Sequence, residues 1–530
     1  MSGAFAGTGA LVRLALRRDR IRLPVWIAVF AATAASAAAA TMAVYPTDAD
    51  LHAAAASINA VPSLRALYGP VREATLGATS VFKLTAFGAA LVGLLMVFTA
   101  VRHTRAEEEA GRRELLGATV VGRYAGLAAG LAVTAGASVV LGLATAAALV
   151  ATGLPVAGSL AFGLCWAAAG LVFGGAAAVT AQLTKSARSA SGLAVLALVV
   201  AYFLRAVGDS AGPAWLSWAS PIGWSEEVRP YAGDAWWVLV LPVVAAAALG
   251  GLAIALARVR DLDAGLLPDH PGPAGAGRAL RSPWGLAWRL NRGTLAVWAC
   301  AYVLLGVVCG SLAGNVGSML TNSQAQAMIT ALGGEKGISD AFLAAELAMA
   351  GVITSTYVIA VLARLRAEER ALRVEPLLAA AVDRRRLLGG YLVFAAVAPA
   401  VLLTALGLAA GLTNGAHLGR IGPEVARLAG AALAQLPAVW VLTGIATAVF
   451  GLFGRALTAA WVALVAFLLL GEFGTLLKLD QWVLDLSPFT HSPKLPGAAV
   501  HATPLLWLAA LGAVLVAAGV AGFRRRDIAG

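Results

Sequence analysis

Apolar runs of about 20 residues recur along the whole chain, divided by short polar stretches and without the period-two alternation of half-buried strands. In lipid every backbone N–H and C=O must be satisfied within the segment, so runs of this length read as membrane-crossing helices. A barrel would need short alternating segments instead. The runs place spans near residues 23–45, 78–101, 124–152, 159–183, 191–207 and 238–257. Six more follow near 294–319, 343–363, 387–412, 429–450, 457–472 and 503–523. The fold class expected is an all-α polytopic membrane protein of twelve transmembrane helices. The first run has a basic lead and an A-x-A-like stretch, as signal peptides do. Its length, and a matching segment at the start of the second half, make it a retained span.

The polar stretches repeat as well. The densest charged run, RHTRAEEEAGRRELLGATVVGR at 102–123, returns 261 residues later. Arg105, Glu107, Glu108, Glu114, Leu116, Ala118, Val121 and Arg123 recur as Arg366, Glu368, Glu369, Glu375, Leu377, Ala379, Val382 and Arg384. WGLAWRLNRG (284–293) stands where GALVRLALRR (9–18) stood, Ser487-Pro488 answers Ser220-Pro221, and RRRDIA (524–529) answers RVRDLD (258–263). The order is conserved between the halves and the offsets stay within 261 to 276. Residues 1–257 and 294–530 therefore read as two six-span halves in parallel orientation, related by an axis along the membrane normal. Between them 258–293, with the Pro- and Gly-rich DHPGPAGAG at 269–277, reads as a cytoplasmic linker. Residues 8–22 mix leucines with arginines, as an interfacial helix or a plain basic flank would. Aromatics after the fifth span (Trp215, Trp218, Trp224, Trp236, Trp237) suit an interfacial belt.

Composition narrows the function. The 530 residues are 60% hydrophobic and only 12% charged, far below the roughly 25% charge of soluble chains. The net charge of +12 would suggest nucleic acid in a soluble protein. Here most of the 39 Lys and Arg fall in segments that are cytoplasmic if both termini are, which is the bias that sets membrane orientation. Cys165, Cys300 and Cys309 all lie in apolar spans, and the six histidines show no metal-binding spacing. No G-x-x-x-x-G-K-[ST] phosphate loop occurs, nor a nucleophile elbow, so no catalytic residue is assigned.

The EExxGxxELLxAxxVxR pattern after the second span, the Ser-Pro after the fifth and the basic-Asp ending after the sixth resemble the type-2 ABC transporter permeases (ABC-2 exporters). The fused twelve-span form, with SLRALYGP at 63–70 and VRHTRAEEEAGRRELL at 101–116, is similar to exporters of polyketide antibiotics and other drugs. The resemblance covers nearly the whole chain. It implies a coupling helix at about 102–123 and another at about 364–386, each seated on one copy of a separate ABC ATPase that binds ATP and Mg. No cofactor is expected in this chain. Coupling residues would be Arg105, Glu107, Glu108, Glu109, Gly111, Glu114, Leu115, Leu116 and Arg123 in the first copy. In the second they would be Arg366, Glu368, Glu369, Glu375, Leu377 and Arg384. The competing reading is a solvated, topology-setting loop, but acidic residues contribute little to topology. Leu372 replaces Gly111 and Pro376 replaces Leu115, so the two docking sites are expected to be unequal. The cargo implied is a hydrophobic or amphipathic compound, and the place a bacterial plasma membrane.

Four ionisable residues fall near the outer ends of spans: Lys83, Arg205, Glu346 and Glu472. The resemblance brings the second and fifth spans of opposite halves together, so Lys83–Glu472 and Arg205–Glu346 pairs would close an outer gate. Independent snorkelling of all four to the interface is the plainer alternative. An ion-coupled secondary multidrug transporter would need acids nearer the midplane or broken helices there.

Overall fold

The computed structural model describes the chain except residues 1, 61, 118, 211–212, 262–263, 268–274, 276, 278–279, 281, 314–334, 381, 455–456, 474–479 and 527–530. The side chains of residues 2, 62–63, 115–117, 335–336, 338 and 472–473 also lie outside the described set. The described residues are helical, without a sheet, and divide into two compact units, Met1–Pro271 and Gly272–Gly530.

The first unit opens with α1 (Thr8–Arg18) and the spans α2 (Arg22–Val44) and α5 (Leu76–His103), with α3 (Asp48–Ala60) and α4 (Pro62–Tyr68) between them. Two short helices, α6 (Arg105–Glu109) and α7 (Arg112–Gly117), precede the spans α8 (Ala125–Ala151), α9 (Val156–Leu183) and α10 (Ala187–Ser210). After α11 (Trp215–Trp218) and α12 (Pro221–Glu227) comes the last span, α13 (Val240–Val259). The second unit has the spans α14 (Pro283–Ala313), α15 (Glu335–Arg370), then the short α16 (Val374–Ala379) and the span α17 (Arg384–His417). The tenth span is two pieces, α18 (Ile421–Leu433) and α19 (Leu436–Phe453), because Pro437 has no N–H to continue the ladder. α20 (Thr458–Phe473), α21 (Gln481–Leu484) and α22 (Ala502–Arg525) complete it.

Eleven of these elements, the α18–α19 pair counting as one, are long and apolar enough to cross a membrane. The expected eleventh span in chain order, 457–472, is a 16-residue apolar helix that falls short of that length, and its continuation lies outside the described residues. The chain is thus a polytopic membrane protein with about eleven candidate spans. Expected and observed ends agree to within a few residues for most spans. The largest differences are at α14 and α15, which extend well into the polar flanks. The interfacial segment expected over 8–22 stops at Arg18, and Arg22 already opens α2.

The helices sort into inner and outer layers. α9 is 72% buried over its most apolar stretch, whereas α2, α13 and α22 are 17% buried, which leaves their leucines, valines and tryptophans for lipid. Trp166 of α9 is fully buried, and its indole N–H donates to the carbonyl of Leu84 at 3.0 Å. Gly88 makes that possible, since a Cβ there would strike the indole ring. In the second unit α19 and α22 cross backbone to backbone, Gly451 against Gly519 and Gly444 against Gly512. Hydroxyls inside the spans, among them Thr85, Thr99, Thr134 and Thr447, return their hydrogen bonds to carbonyls four residues back.

The α19–α22 crossing gives a direct test. Gly451→Leu forces two backbones apart and is expected to cost about 1–3 kcal/mol, read as a lower unfolding midpoint in detergent. Gly250→Leu on α13 meets open space and should leave the midpoint unchanged. Equal midpoints for both variants would mean that the crossing carries no stability.

Candidate functional site

In the first unit α5 ends at Thr104, whose φ of −118° and ψ of −86° break the helix before α6 begins. The chain then turns at Gly111 (φ +68°) into α7. In the second unit α15 runs unbroken through Arg370, turns at Leu372 (φ +57°) and enters α16. The single coupling helices expected over 102–123 and 364–386 are therefore each two helical pieces, joined at one left-handed residue. The turn is the same in both: the N–H of Gly111 donates to the carbonyl of Glu108 at 2.8 Å, and that of Leu372 to Glu369 at 3.0 Å. A left-handed residue without glycine costs about 1–2 kcal/mol, so Leu372, 52% exposed and without compensating burial, sits strained. These helix–turn–helix pieces are called elbows below.

At the centre of each elbow is a buried carboxylate. Glu108 accepts from Arg105 Nη1 at 2.6 Å, from Arg113, and bidentately from Arg260 at 2.8 and 2.9 Å. Arg105, 1% exposed, also reaches the carbonyls of Lys185 and Ala264. Glu369 accepts from Arg366 at 2.8 Å and from Arg526 at 2.6 Å. Arg526 lies against the stacked rings of Phe450 and Phe523, 4.9 and 5.3 Å from their centroids. Arg260 and Arg526 come from the basic-Asp endings after the last span of each half, which the repeat analysis matched without giving them a role. Burial of a carboxylate is tolerated only with such partners.

The residues around this core differ. Glu107 binds Arg112 and Arg18, the latter at 2.7 Å from α1, so α1 is tied to the first elbow. Glu368 pairs with the exposed Arg373 at 3.3 Å. Glu109 accepts the Ala187 N–H at the start of α10. Arg123 and Arg384 direct their guanidinium groups at backbone rather than at a partner surface. Arg123 donates to the carbonyls of Ala257, Arg258 and Arg260, and Arg384 to that of Arg526 at 2.7 Å. Gly126 and Gly130 make room for Arg113 and Thr104 of the elbow. A buried Asp19–His103 contact of 2.7 Å, with Arg102 at 3.1 Å, ties the start of α2 to the end of α5. A cavity of about 330 Å³ lies among α1, the first elbow and the start of α8. Its arginines, Arg18, Arg113 and Arg123, already donate to Glu107, Glu108 and the last-span carbonyls.

Of the expected coupling residues, Arg105, Glu108 and Glu369 are buried, Glu107, Gly111, Arg366, Glu368, Leu377 and Arg384 half-buried, and Glu109, Glu114, Arg123 and Glu375 exposed. The side chains of Leu115 and Leu116 lie outside the described residues. Two exposed apolar side chains join the outer face of the elbows: Val120, 95% exposed, and Leu372.

At the opposite end of the first unit Arg205 is fully buried among groups of its own unit. Its guanidinium meets Glu226 at 2.8 Å, Asp209 at 3.4 Å and the carbonyls of Ala66 and Leu67, with the Tyr202 ring 4.5 Å away. The charge is therefore compensated within its own unit. The missed signal was SLRALYGP: α4 offers its last carbonyls to the guanidinium, and Gly69 (φ +91°) leaves room for Glu226. Ser220-Pro221 is a helix start, Ser220 accepting from the N–H groups of Ile222 and Gly223 with Pro221 at the first position. Burial, opposed by Arg205, pushes the Glu226 carboxyl well above its ordinary range. Lys83 is exposed, 5.7 Å from the Phe82 ring, and Glu346 lies half-buried with Cys309 4.0 Å away. The Glu472 side chain lies outside the described residues, so Lys83–Glu472 does too. Sequence reasoning also passed over Arg427, which joins Glu424 and Asp340 at 2.8 Å each.

Duplicated membrane bundles, each with a buried arginine–carboxylate elbow after its second span, define a transporter membrane subunit. The chain is 44% identical over 526 residues to the multidrug efflux system permease protein Rv1217c of Mycobacterium tuberculosis, covering 99% of this chain and 96% of that protein. Residues 280–524 match the family described as multidrug efflux system permease Rv1217c, C-terminal domain. This chain belongs to that family of efflux permeases, the membrane subunits of ABC exporters.

Two stability measurements follow from the geometry. Leu372→Gly relieves the left-handed strain and should raise stability by about 1 kcal/mol, with Gly111→Leu moving it the other way. No change in either unfolding midpoint would place the strain elsewhere. Arg205→Met leaves Glu226 and Asp209 unmatched and should cost about 3–5 kcal/mol. A midpoint unaltered by Arg205→Met would show that the cluster is not held by that charge.

Proposed function

We propose that the chain carries hydrophobic or amphipathic compounds out of the cytoplasm or the inner leaflet, powered by two copies of a separate ABC ATPase that dock on the two elbows. The observation that supports this most is the duplication of one elbow architecture, with the same buried arginine–carboxylate centre, in a chain akin end to end to an efflux permease. Cargo of the drug type is carried over from the name of that relative. Membership of the ABC family sets the ion-coupled alternative aside.

In this reading the elbows, both termini and the 258–293 linker face the cytoplasm of a bacterial cell, and the two halves are parallel six-span repeats with α20 as the eleventh crossing. The buried residues Arg105, Glu108, Arg366 and Glu369 give each elbow its shape. The exposed residues make the contact: Glu114, Arg112 and Val120 in the first, Arg370, Leu372, Arg373 and Glu375 in the second. ATP and Mg are bound by the partner, whose closure presses on the elbow and so on the inner ends of α5 and α15. A strained, exposed leucine at the tip of the second elbow is the kind of side chain a partner groove would hold.

The test is reconstitution. The chain coexpressed with its ABC ATPase should bring that ATPase down in a two-to-one ratio. Inside-out vesicles carrying the complex should accumulate ethidium only with ATP, and Glu114→Arg combined with Glu375→Arg should weaken the co-purification. Dye accumulation driven by a proton gradient without ATP would overturn the proposal. So would an ATPase that binds the double variant as well as the unaltered chain.

A further inference from the structure

Each unit ends its last span by inserting one arginine into the elbow that follows its second span. Arg260 lies just past the end of α13 and grips both oxygens of Glu108, across 152 residues of chain. Arg526 lies just past the end of α22 and grips Glu369, across 157 residues. A second arginine holds the same place from the other side: Arg123 and Arg384, at the start of the third span of each half, donate to the last carbonyls of α13 and to the carbonyl of Arg526. Cations at a helix C-terminus are favourable in themselves, since the last carbonyls are unsatisfied and carry partial negative charge. The side chains involved are largely dry: Arg260 is 5% exposed, Glu108 3%, Arg526 14% and Glu369 0%. In that setting charge-assisted, partly bidentate bonds hold direction as well as distance.

We infer that Arg260 and Arg526 are positioning residues for coupling, clamping the end of the last span in each half to the elbow so that α13 and α22 move with it. The clamp rests on the docking reading above and deepens it. Under that reading alone the elbow would act on the second span, whose end it continues. The clamp makes the elbow a three-way junction of second, third and last spans. α13 otherwise packs on α9, and α22 crosses α19, so without the clamp each last span would follow those neighbours rather than the elbow.

The two clamps are not equally redundant. Without Arg260, Glu108 keeps Arg105 and Arg113. Without Arg526, Glu369 keeps only Arg366. Arg526→Gln should therefore reduce coupling more than Arg260→Gln.

The experiment uses the complex of the full chain with its ATPase in vesicles, reading ATP hydrolysis and ethidium accumulation together. Arg526→Gln is expected to retain the ATPase on purification yet lower dye moved per ATP by at least about fivefold, the lower end of ordinary coupling between sites. Arg526→Lys, which keeps the charge, should recover most of it. A purely structural role would lower the amount of complex and leave the ratio intact, and that result would overturn the inference. Should Arg526→Gln fail to reach the membrane, Arg260→Gln decides, since Glu108 stays compensated there. A second readout needs no cargo: spin labels at Ala110→Cys and Val259→Cys, in a chain with its native cysteines replaced, report the elbow-to-span distance. That distance should be the same with and without trapped nucleotide in the Arg260 chain and should vary with nucleotide in Arg260→Gln. An elbow that moves away from α13 in the unaltered complex would refute the clamp. Failure of the unaltered chain to bring down any ATPase would instead remove the docking reading, and the clamp's part in coupling with it.

Discussion

A carboxylate withdrawn from water at the foot of each bundle sets the terms for everything around it. The Glu108 and Glu369 side chains are 3% and 0% exposed, and desolvating one unpaired carboxylate costs several kcal/mol. Each is matched by arginines from its own helical turn and by one from the far end of its half of the sequence. In the first half the match requires that α5 end in a turn, that a glycine-lined face of α8 admit the elbow, and that α13 stop at one fixed depth. Replacing such a network by apolar residues is often neutral or favourable for stability, whereas breaking it by one partner is costly. Its value is therefore better sought in geometry than in stability: it fixes where three helices meet.

The spans were legible because crossing a bilayer is a local demand. Twenty apolar residues must be contiguous, and so α5, α8, α9 and α22 begin and end within a few residues of the places their composition marks. The repeat was legible too, since both halves keep the same residue types in the same order. What lay beyond reach was pairing at a distance. Nothing in RVRDLD or RRRDIA says that its third residue, an arginine, turns back more than 150 residues to a glutamate. Arg205 shows the same limit from the other side. Its compensating groups within the first unit come from α4 and α12, which no spacing in the sequence marks. The elbow was misread as one helix because its sequence is helix-forming throughout. Only the left-handed turn at Gly111 and Leu372, set by tertiary packing, divides it.

The halves share a plan and differ in how firmly it is held. The first elbow has Arg18 and Arg113 in addition to the common core, and glycine where the backbone turns left-handed. The second lacks both cations: Val374, buried in the core, stands where Arg113 stands, and Gly293 where Arg18 does. Its arginine is steadied by two aromatic rings instead, and its turn is forced on a leucine. One half thus relies on a redundant ionic network and the other on a single pair braced by apolar packing.

That difference bears on how a pair of identical motors could act on a fused, unequal transporter. A junction with three arginines keeps two when one contact is lost, whereas a junction with two keeps one. The second elbow continues α15 without a break, while the first is set off from α5 at Thr104. Identical strokes applied to the two would displace their helices differently. In a chain where both halves are covalently one, divergence of this kind needs no second gene, only different residues around the same carboxylate.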